Sequence, residues 1–153
     1  EKVSSLKNIE RLVQLLSERV GTGISYANLA RDLQVSPPTI KSWIQILEDL
    51  YVVYTVRPYS QSFSKSILRE PKIYFHDIGK VKDMGMRLEN LVANHLYKKV
   101  FFLNDTLGLN YELMYFRDKE QREVDFVLTE DQLPVQIIEV KTSDDNPTRS
   151  LFY

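Results

Sequence analysis

Residues 111–141, YELMYFRDKEQREVDFVLTEDQLPVQIIEVK, contain the pattern that decides the fold. They predict three short strands that carry acidic side chains where a sheet usually buries apolar ones. A β-branched segment around Asp125 is followed by residues 134–141, which are apolar enough to predict a buried strand and yet end in Glu-x-Lys. Because side chains alternate along a strand, Glu139 and Lys141 should share one face, and Asp125 on the neighbouring strand can join them.

Two carboxylates and a lysine at one end of a sheet suit the hydrolysis of a phosphodiester. Mg²⁺ prefers oxygen ligands, so Asp125, Glu139 and the backbone carbonyl of Val140 could bind it while water and a phosphate oxygen complete its coordination. Lys141 could then position the attacking water or stabilise the charge that develops on the phosphate. The alternative is an edge strand whose charged ends are simply solvated.

Length and composition bound the remaining interpretations. A chain of 153 residues with 43% hydrophobic content can bury a core, as one domain or as two small ones. The absence of cysteine excludes disulfides and thiolate metal sites and fits a cytoplasmic location. No apolar run reaches transmembrane length, so no membrane partner is expected. The net charge of −1 argues against a strongly basic nucleic-acid-binding protein, and the start at Glu1 predicts a fragment of a longer chain.

Residues 3–51 predict three helices in the order of a helix-turn-helix. Apolar residues recur at helical spacing over residues 3–20, and a shorter helix follows at residues 26–33. Ser36 is expected to cap a third helix with Pro37 in its first turn, where the missing N–H costs nothing. The alternative is a plain three-helix packing unit that contacts no DNA.

Two extended runs, residues 52–57 and 72–75, predict the strands of a wing joined by a polar loop. Residues 36–50 carry one lysine against two acidic residues, which is unfavourable for a helix in the major groove. Residues 57–72 carry four basic residues against one acidic residue, so contact with phosphate is expected there. The predicted DNA-binding residues lie on the outer face of the third helix and in the wing loop: Thr39, Lys41, Ser42, Gln45, Lys65 and Arg69.

Glu89 lies in a predicted helix that spans residues 86–101 and is followed by a predicted loop at residues 104–108. It falls on the border of the apolar stripe of that helix. A carboxylate in this position requires a partner or a metal ion. Glu89 is therefore a candidate catalytic residue with Asp125, and the alternative is a salt bridge with Arg122 or Lys98.

The spacing Asp-x13-Glu-x-Lys resembles the PD-(D/E)XK nuclease superfamily, which also places a Glu on the helix before the sheet. The order of motifs along the whole chain resembles the carboxy-terminal region of a bacterial and archaeal family in which an AAA-type P-loop ATPase domain precedes a domain of unknown function. The motifs that carry this second resemblance are Ser36 with Thr39 and residues 41–43, Pro58-Tyr59, residues 71–79, residues 89–92, residues 115–118, residues 123–125 and residues 138–141.

The resemblance implies a fold of α+β or α/β class, with a winged helix-turn-helix at residues 1–78 and a PD-(D/E)XK nuclease-like αβββ core at residues 79–153. That core usually continues with a helix and a strand after Glu-x-Lys, so it could be truncated here. The catalytic residues would be Glu89, Asp125, Glu139 and Lys141, with Mg²⁺ as the cofactor. The chain contains no Gly-x4-Gly-Lys-Ser/Thr, so ATP would not bind through a Walker loop.

Three functions follow as hypotheses. The first is a Mg²⁺-dependent nuclease module that the winged helix guides to DNA. The second is a non-catalytic module that binds DNA or protein and regulates the ATPase domain of the parent protein. The third, a purely structural dimerisation domain, leaves the carboxylates unexplained.

Overall fold

The computed structural model describes residues 2–60, 70–118, 120 and 122–143. Over these ranges the protein is a mixed α+β fold, in which a layer of helices and a mixed sheet share one apolar core. A short 3-10 helix, Ile78–Lys80, precedes the last helix. The described helices are α1 (Lys2–Ser17), α2 (Tyr26–Leu33), α3 (Pro37–Asp49) and α4 (Met84–Leu107), and the strands are β1 (Val53–Pro58), β2 (Lys72–Phe75), β3 (Tyr111–Arg117), β4 (Glu123–Glu130) and β5 (Leu133–Ile138).

The first three helices form where their sequence signals predicted them. Ser25 caps α2 by accepting a hydrogen bond from the amide of Asn28, and Ser36 caps α3 by accepting one from the amide of Thr39. Between them the chain turns through Gln34, which is left-handed with φ 54°. Their inner faces meet in a core that includes Leu12, Leu16, Leu29, Leu33, Ile40 and Ile44, all of them buried.

The described strands form one sheet in the order β2-β1-β3-β4-β5. β1 pairs with β2 in antiparallel register, and β3, β4 and β5 form an antiparallel meander. The two parts are joined by a short parallel pairing in which Arg57 lies opposite Met114 and Pro58 opposite Tyr115. The sheet therefore combines strands from both sides of residue 78, where the sequence predicted a boundary between domains. That division stays a prediction.

The sheet coils strongly enough for its second and fourth strands in chain order to contact each other. Tyr74 of β2 and Phe126 of β4 have ring centroids 5.6 Å apart, although β1 and β3 lie between these strands in the sheet. This coiling brings the polar ends of β2 and β4 together, and it is the feature of the fold that positions the site.

Helix α4 extends further than its sequence signals predicted. Residues 104–107 were predicted as a loop, but they are helical, and the helix ends at Gly108 with φ 65°. The side chain of Asn104 donates to the carbonyl oxygen of Tyr111 and accepts from its amide, so the end of α4 is bonded directly to the start of β3. The predicted loop was wrong because this contact extends the helix by one turn.

Strand β5 was predicted to be buried, and the structure places it at the exposed edge of the sheet. Its apolar side chains Leu133, Val135 and Ile137 are exposed. The prediction was wrong because an apolar run was taken to require cover on both faces, whereas β5 pairs with β4 alone among the strands of the described residues. None of the helices in the described ranges has the length and apolar character needed to span a membrane.

Candidate functional site

Asn90 and its neighbours on α4 determine where Glu89 lies. The buried side-chain amide of Asn90 accepts a hydrogen bond from the amide of Phe75 at 2.8 Å and donates one to the carbonyl oxygen of Phe75 at 2.7 Å. Asn94, one turn later, donates to the carbonyl oxygen of His76 at 3.0 Å. These bonds fix α4 against the end of β2, so the Glu89 carboxylate faces the side chains at the start of that strand.

Lys72, the first residue of β2, is the centre of the site. Its side chain is only 1% exposed, and its ammonium lies 5.2 Å from the ring centroid of Tyr115, which is a cation–π distance. The Tyr115 hydroxyl donates to the carbonyl oxygen of Glu70 at 2.6 Å. A buried lysine needs anionic partners because burial disfavours its charged form.

Among the described residues, three carboxylates surround this ammonium. Lys72 Nζ lies 2.6 Å from Glu123 Oε1, 3.6 Å from Glu89 Oε1 and 3.9 Å from Asp125 Oδ1. Glu123 is the nearest of the three and lies within hydrogen-bond distance of Nζ, whereas Glu89 and Asp125 attract the ammonium mainly as charges. We call Lys72, Glu89, Glu123 and Asp125 the Lys72 cluster.

Glu89 has a second partner in the neighbouring strand residue. The Tyr74 hydroxyl donates to Glu89 Oε1 at 2.7 Å. Burial raises the pKa of Glu89 above its ordinary value, against the opposing effects of Lys72 and of the Tyr74 hydrogen bond, while Asp125 and Glu123 raise it further. Burial, followed by the Glu89 charge, also raises the pKa of Tyr74, so its hydroxyl keeps its proton.

Asp125 links the Lys72 cluster to the Glu-x-Lys motif. Its Oδ2 accepts a hydrogen bond from the amide of Val140 at 2.8 Å, and Lys141 Nζ lies 4.0 Å from Glu139 Oε1. Burial raises the pKa of Asp125; Val140 and Lys72 oppose this, and Glu123 and Glu139 add to it.

A glycine backbone passes directly over Glu89. Gly21 follows α1 with φ +74°, and a Cβ at this position would lie 2.5 Å from Glu89 Oε1. Gly23, two residues later, makes an isolated bridge with Lys72. Gly21 and Gly23, in the segment between α1 and α2, therefore allow the backbone to cover the Lys72 cluster closely.

Two families of known proteins match the sequence of this chain. The family described as Domain of unknown function (DUF8612) matches residues 1–89, more than half of the chain. The chain belongs to this family. A second family, Domain of unknown function (DUF4143), matches residues 84–152, so the Lys72 cluster draws on both matched ranges.

The chain is also similar to a longer protein. The chain is 27% identical over 151 residues to an uncharacterized protein of the archaeon Methanocaldococcus jannaschii, a match that covers 90% of this chain and 30% of the relative. The chain thus spans under a third of the length of that relative. No solved structure matches the chain.

The predicted Mg²⁺ site can be tested against these side chains. Asp125 and Glu139 supply hard oxygen donors, and Glu139 is near enough to affect the pKa of Asp125, while the backbone amide of Val140 donates to Asp125 Oδ2. Within the described ranges, no group of three or more His, Cys, Asp and Glu side chains is arranged to hold a metal. Mg²⁺ often binds through one or two carboxylates and retains several waters, so the donor set fits this ion.

Sequence reasoning identified Glu89 and Asp125 but missed Lys72, Glu123 and Tyr74. Lys72 had been counted only as part of the basic wing, and the partners predicted for Glu89 were Arg122 or Lys98. The structure shows that Lys72 and Tyr74 are the partners of Glu89. The signal in the sequence was strand alternation, which puts Lys72 and Tyr74 on one face of a short apolar strand.

None of the contacts described for the predicted DNA-binding residues of α3 involves the Lys72 cluster. Lys41, Ser42 and Gln45 are exposed on one face of the helix, and Gln45 donates to Asp49 Oδ1 at 3.0 Å. Thr39 is half-buried in the first turn and shares a hydrogen bond with the Ser36 hydroxyl at 2.8 Å. Lys65 and Arg69 of the predicted wing loop lie outside the described residues.

Proposed function

We propose that this chain is a DNA-binding, Mg²⁺-dependent nuclease-like module of an AAA-type ATPase that acts in the cytoplasm. In this proposal residues 1–78 form a winged helix and residues 79–153 form a PD-(D/E)XK nuclease-like domain. The observation that carries the proposal is the convergence of Asp125, Val140 and the Glu139–Lys141 pair at one end of β4 and β5.

The roles of the side chains follow from their positions. Asp125, Glu139 and the carbonyl of Val140 would hold Mg²⁺, which when bound supplies an activated water and neutralises phosphate charge. Lys141 is one-third exposed, so its ammonium can reach a phosphate oxygen from the protein surface. Glu89 is largely buried, and in this proposal it adds a third carboxylate to the site beside Asp125 and Glu139.

DNA binding is supported by the shape and order of the N-terminal elements. α2, the turn at Gln34 and α3 have the order of a helix-turn-helix, and the antiparallel pair β1 and β2 follows as a wing would. The exposed face of α3 offers Lys41, Ser42 and Gln45, with Thr39 at its border. The ATPase partner rests on the resemblance in motif order alone, and ATP hydrolysis would belong to the rest of the parent protein.

One observation favours the second candidate, a non-catalytic DNA- or protein-binding module that regulates the ATPase. The Lys72 ammonium already balances part of the negative charge of the carboxylates. Carboxylates that are neutralised in this way depend less on a metal ion for their stability. This would suit a nuclease-like domain that binds DNA or protein without cleaving it.

A nuclease assay with the full-length parent protein separates the two candidates. Single-stranded and double-stranded DNA would be incubated with Mg²⁺, Mn²⁺ or EDTA. Cleavage that requires the metal and disappears in Asp125→Asn and Lys141→Ala supports the nuclease. The matched controls are Asp105→Asn and Lys99→Ala, which change exposed residues of α4. No cleavage by the wild type, or equal cleavage by wild type and both site variants, supports the binding module.

A further inference from the structure

Lys72 is the buried charge that the proposed function leaves without a role. It differs from Lys141 because its side chain is 1% exposed and cannot reach a substrate phosphate, whereas that of Lys141 is 33% exposed. Its ammonium is directed into the carboxylates of the Lys72 cluster, and the nearest carboxylate oxygen, Glu123 Oε1, lies 2.6 Å away. A buried ammonium that meets three carboxylates needs an explanation.

The carboxylates that meet this ammonium come from two different elements. Glu89 is on α4, while Glu123 and Asp125 are on one face of β4. The negative charges of these carboxylates repel one another, and burial strengthens the repulsion because the local dielectric constant is low. The Lys72 ammonium lies between these carboxylates, so it offsets their repulsion and links α4 to β4.

We infer that Lys72 is a positioning residue, a fixed internal cation that holds Glu89 and Asp125 in place and occupies the position of an additional metal ion. The inference rests on the proposed function only for the role of Asp125 as a metal ligand. The cation comes from β2, so the DUF8612 part of the chain supplies a charge that the acidic site of the DUF4143 part requires.

The inference predicts that a divalent ion can replace the missing charge when Lys72 is neutralised. Thermal unfolding would be followed by circular dichroism for wild type, Lys72→Met, Lys72→Arg and the exposed control Lys99→Met. Each would be measured without metal, with 10 mM Mg²⁺ or Ca²⁺, and with NaCl of equal ionic strength. Lys72→Met should melt roughly 10 °C below wild type without metal. Removal of the ammonium leaves the carboxylates of the Lys72 cluster buried without a compensating charge.

Divalent ions should raise the melting temperature of Lys72→Met by several degrees more than that of wild type, and NaCl should not. Lys72→Arg retains the charge and should show the smaller, wild-type response to divalent ions. Equal metal responses in Lys72→Met, wild type and Lys99→Met would overturn the inference.

Lys72→Met could fail to fold in the absence of metal, and the double variant Lys72→Met/Glu123→Gln covers that outcome. It removes both members of the 2.6 Å pair and should fold without metal, because removing both charges costs less than removing one. A double variant that stays unfolded with and without metal would mean that the lysine stem is needed for packing, and would overturn the inference.

Glu139→Gln distinguishes this inference from the proposed function, because Glu139 is a proposed metal ligand outside the Lys72 cluster. If the nuclease proposal holds, wild type should show a metal response that Glu139→Gln abolishes. A wild type with no response would count against the nuclease proposal alone, since the role of Lys72 is measured in Lys72→Met.

Discussion

The side chain of Asn90 makes hydrogen bonds to both backbone groups of Phe75, accepting from the amide at 2.8 Å and donating to the carbonyl oxygen at 2.7 Å. Both residues are fully buried, so water cannot replace either bond. The side-chain amide of Asn90 thus pairs with the end of β2 as the backbone of a neighbouring strand would. It determines both the depth and the rotation of α4, and with them the distance from Glu89 to Lys72.

Asn90→Ala should therefore lower the free energy of unfolding by roughly 2–4 kcal/mol, because two buried backbone groups lose their partners. Urea denaturation would measure the change. Asn28→Ala, at an exposed position of α2, is the matched control and should change it by less than about 1 kcal/mol. Equal effects of the two substitutions would mean that the Asn90 bonds do not hold α4 in solution.

Alanine substitutions at two glycines with positive φ distinguish the cost of backbone strain from the cost of steric crowding. Gly108 has φ +65° with open space around it, so Gly108→Ala should cost only about 1–2 kcal/mol of strain. Gly21 has φ +74° and lies against Glu89, so Gly21→Ala should cost roughly 1–3 kcal/mol more. Chemical denaturation of both variants tests this, and Glu89→Ala should reduce the extra cost at Gly21. An equal cost for both glycines would contradict the close approach.

The helices and the carboxylates were predictable because their signals are local. Ser36 followed by Pro37 identifies the start of α3 from sequence alone, and strand alternation brought Glu139 and Lys141 to one side. The contact between Lys72 and Asp125 was not predictable in this way. It depends on the coiling of the sheet, which brings β2 onto β4 across two other strands.

The edge position of β5 illustrates the same limit. Apolar composition indicates that a segment can be buried, but strand order decides whether a neighbour covers it. In the same way, the loop predicted at residues 104–107 became helix because Asn104 bonds to the backbone of Tyr111, and the sequence does not indicate that pairing.

The pH dependence of stability should report the raised pKa of Glu89. The folded state holds this proton more tightly than the unfolded state, in which the pKa is near the ordinary 4.5. As pH rises from about that value through the raised pKa, the unfolded state ionises first and the stability of the wild type falls. Glu89→Gln removes this effect, so its stability relative to wild type should increase over that window by up to about 1.4 kcal/mol per pH unit.

Urea denaturation of wild type and Glu89→Gln between pH 4 and pH 8 would measure this difference. The free energy of unfolding of Glu89→Gln minus that of wild type should be smallest at the lowest pH and constant once Glu89 is fully ionised. A difference that stays the same at every pH would contradict the raised pKa.

DNA binding, if it follows the proposed winged helix, should depend more on the wing than on α3. Lys65→Ala combined with Arg69→Ala should weaken binding to all sequences and reduce the slope of log K against log salt by roughly one to two units. Gln45→Ala should have less effect, because Gln45 is already bonded to Asp49 on an acidic part of the helix. Fluorescence anisotropy over a salt series measures both. Loss of binding in Gln45→Ala with no change in the wing variant would place the DNA on α3 instead.

The exposed face of β5 should make the protein associate at high concentration. Val135 is 52% exposed between two other exposed apolar residues, Leu133 and Ile137, on a strand that pairs only with β4 within the described part of the chain. Val135→Lys should therefore reduce association, measured by light scattering over a concentration series, while the free energy of unfolding changes by less than about 1 kcal/mol. Val127→Lys, at a position of β4 that is 2% exposed, is the control and should unfold the protein because it buries an unpaired charge. If Val135→Lys were as destabilising as Val127→Lys, the apolar face of β5 would be covered in solution.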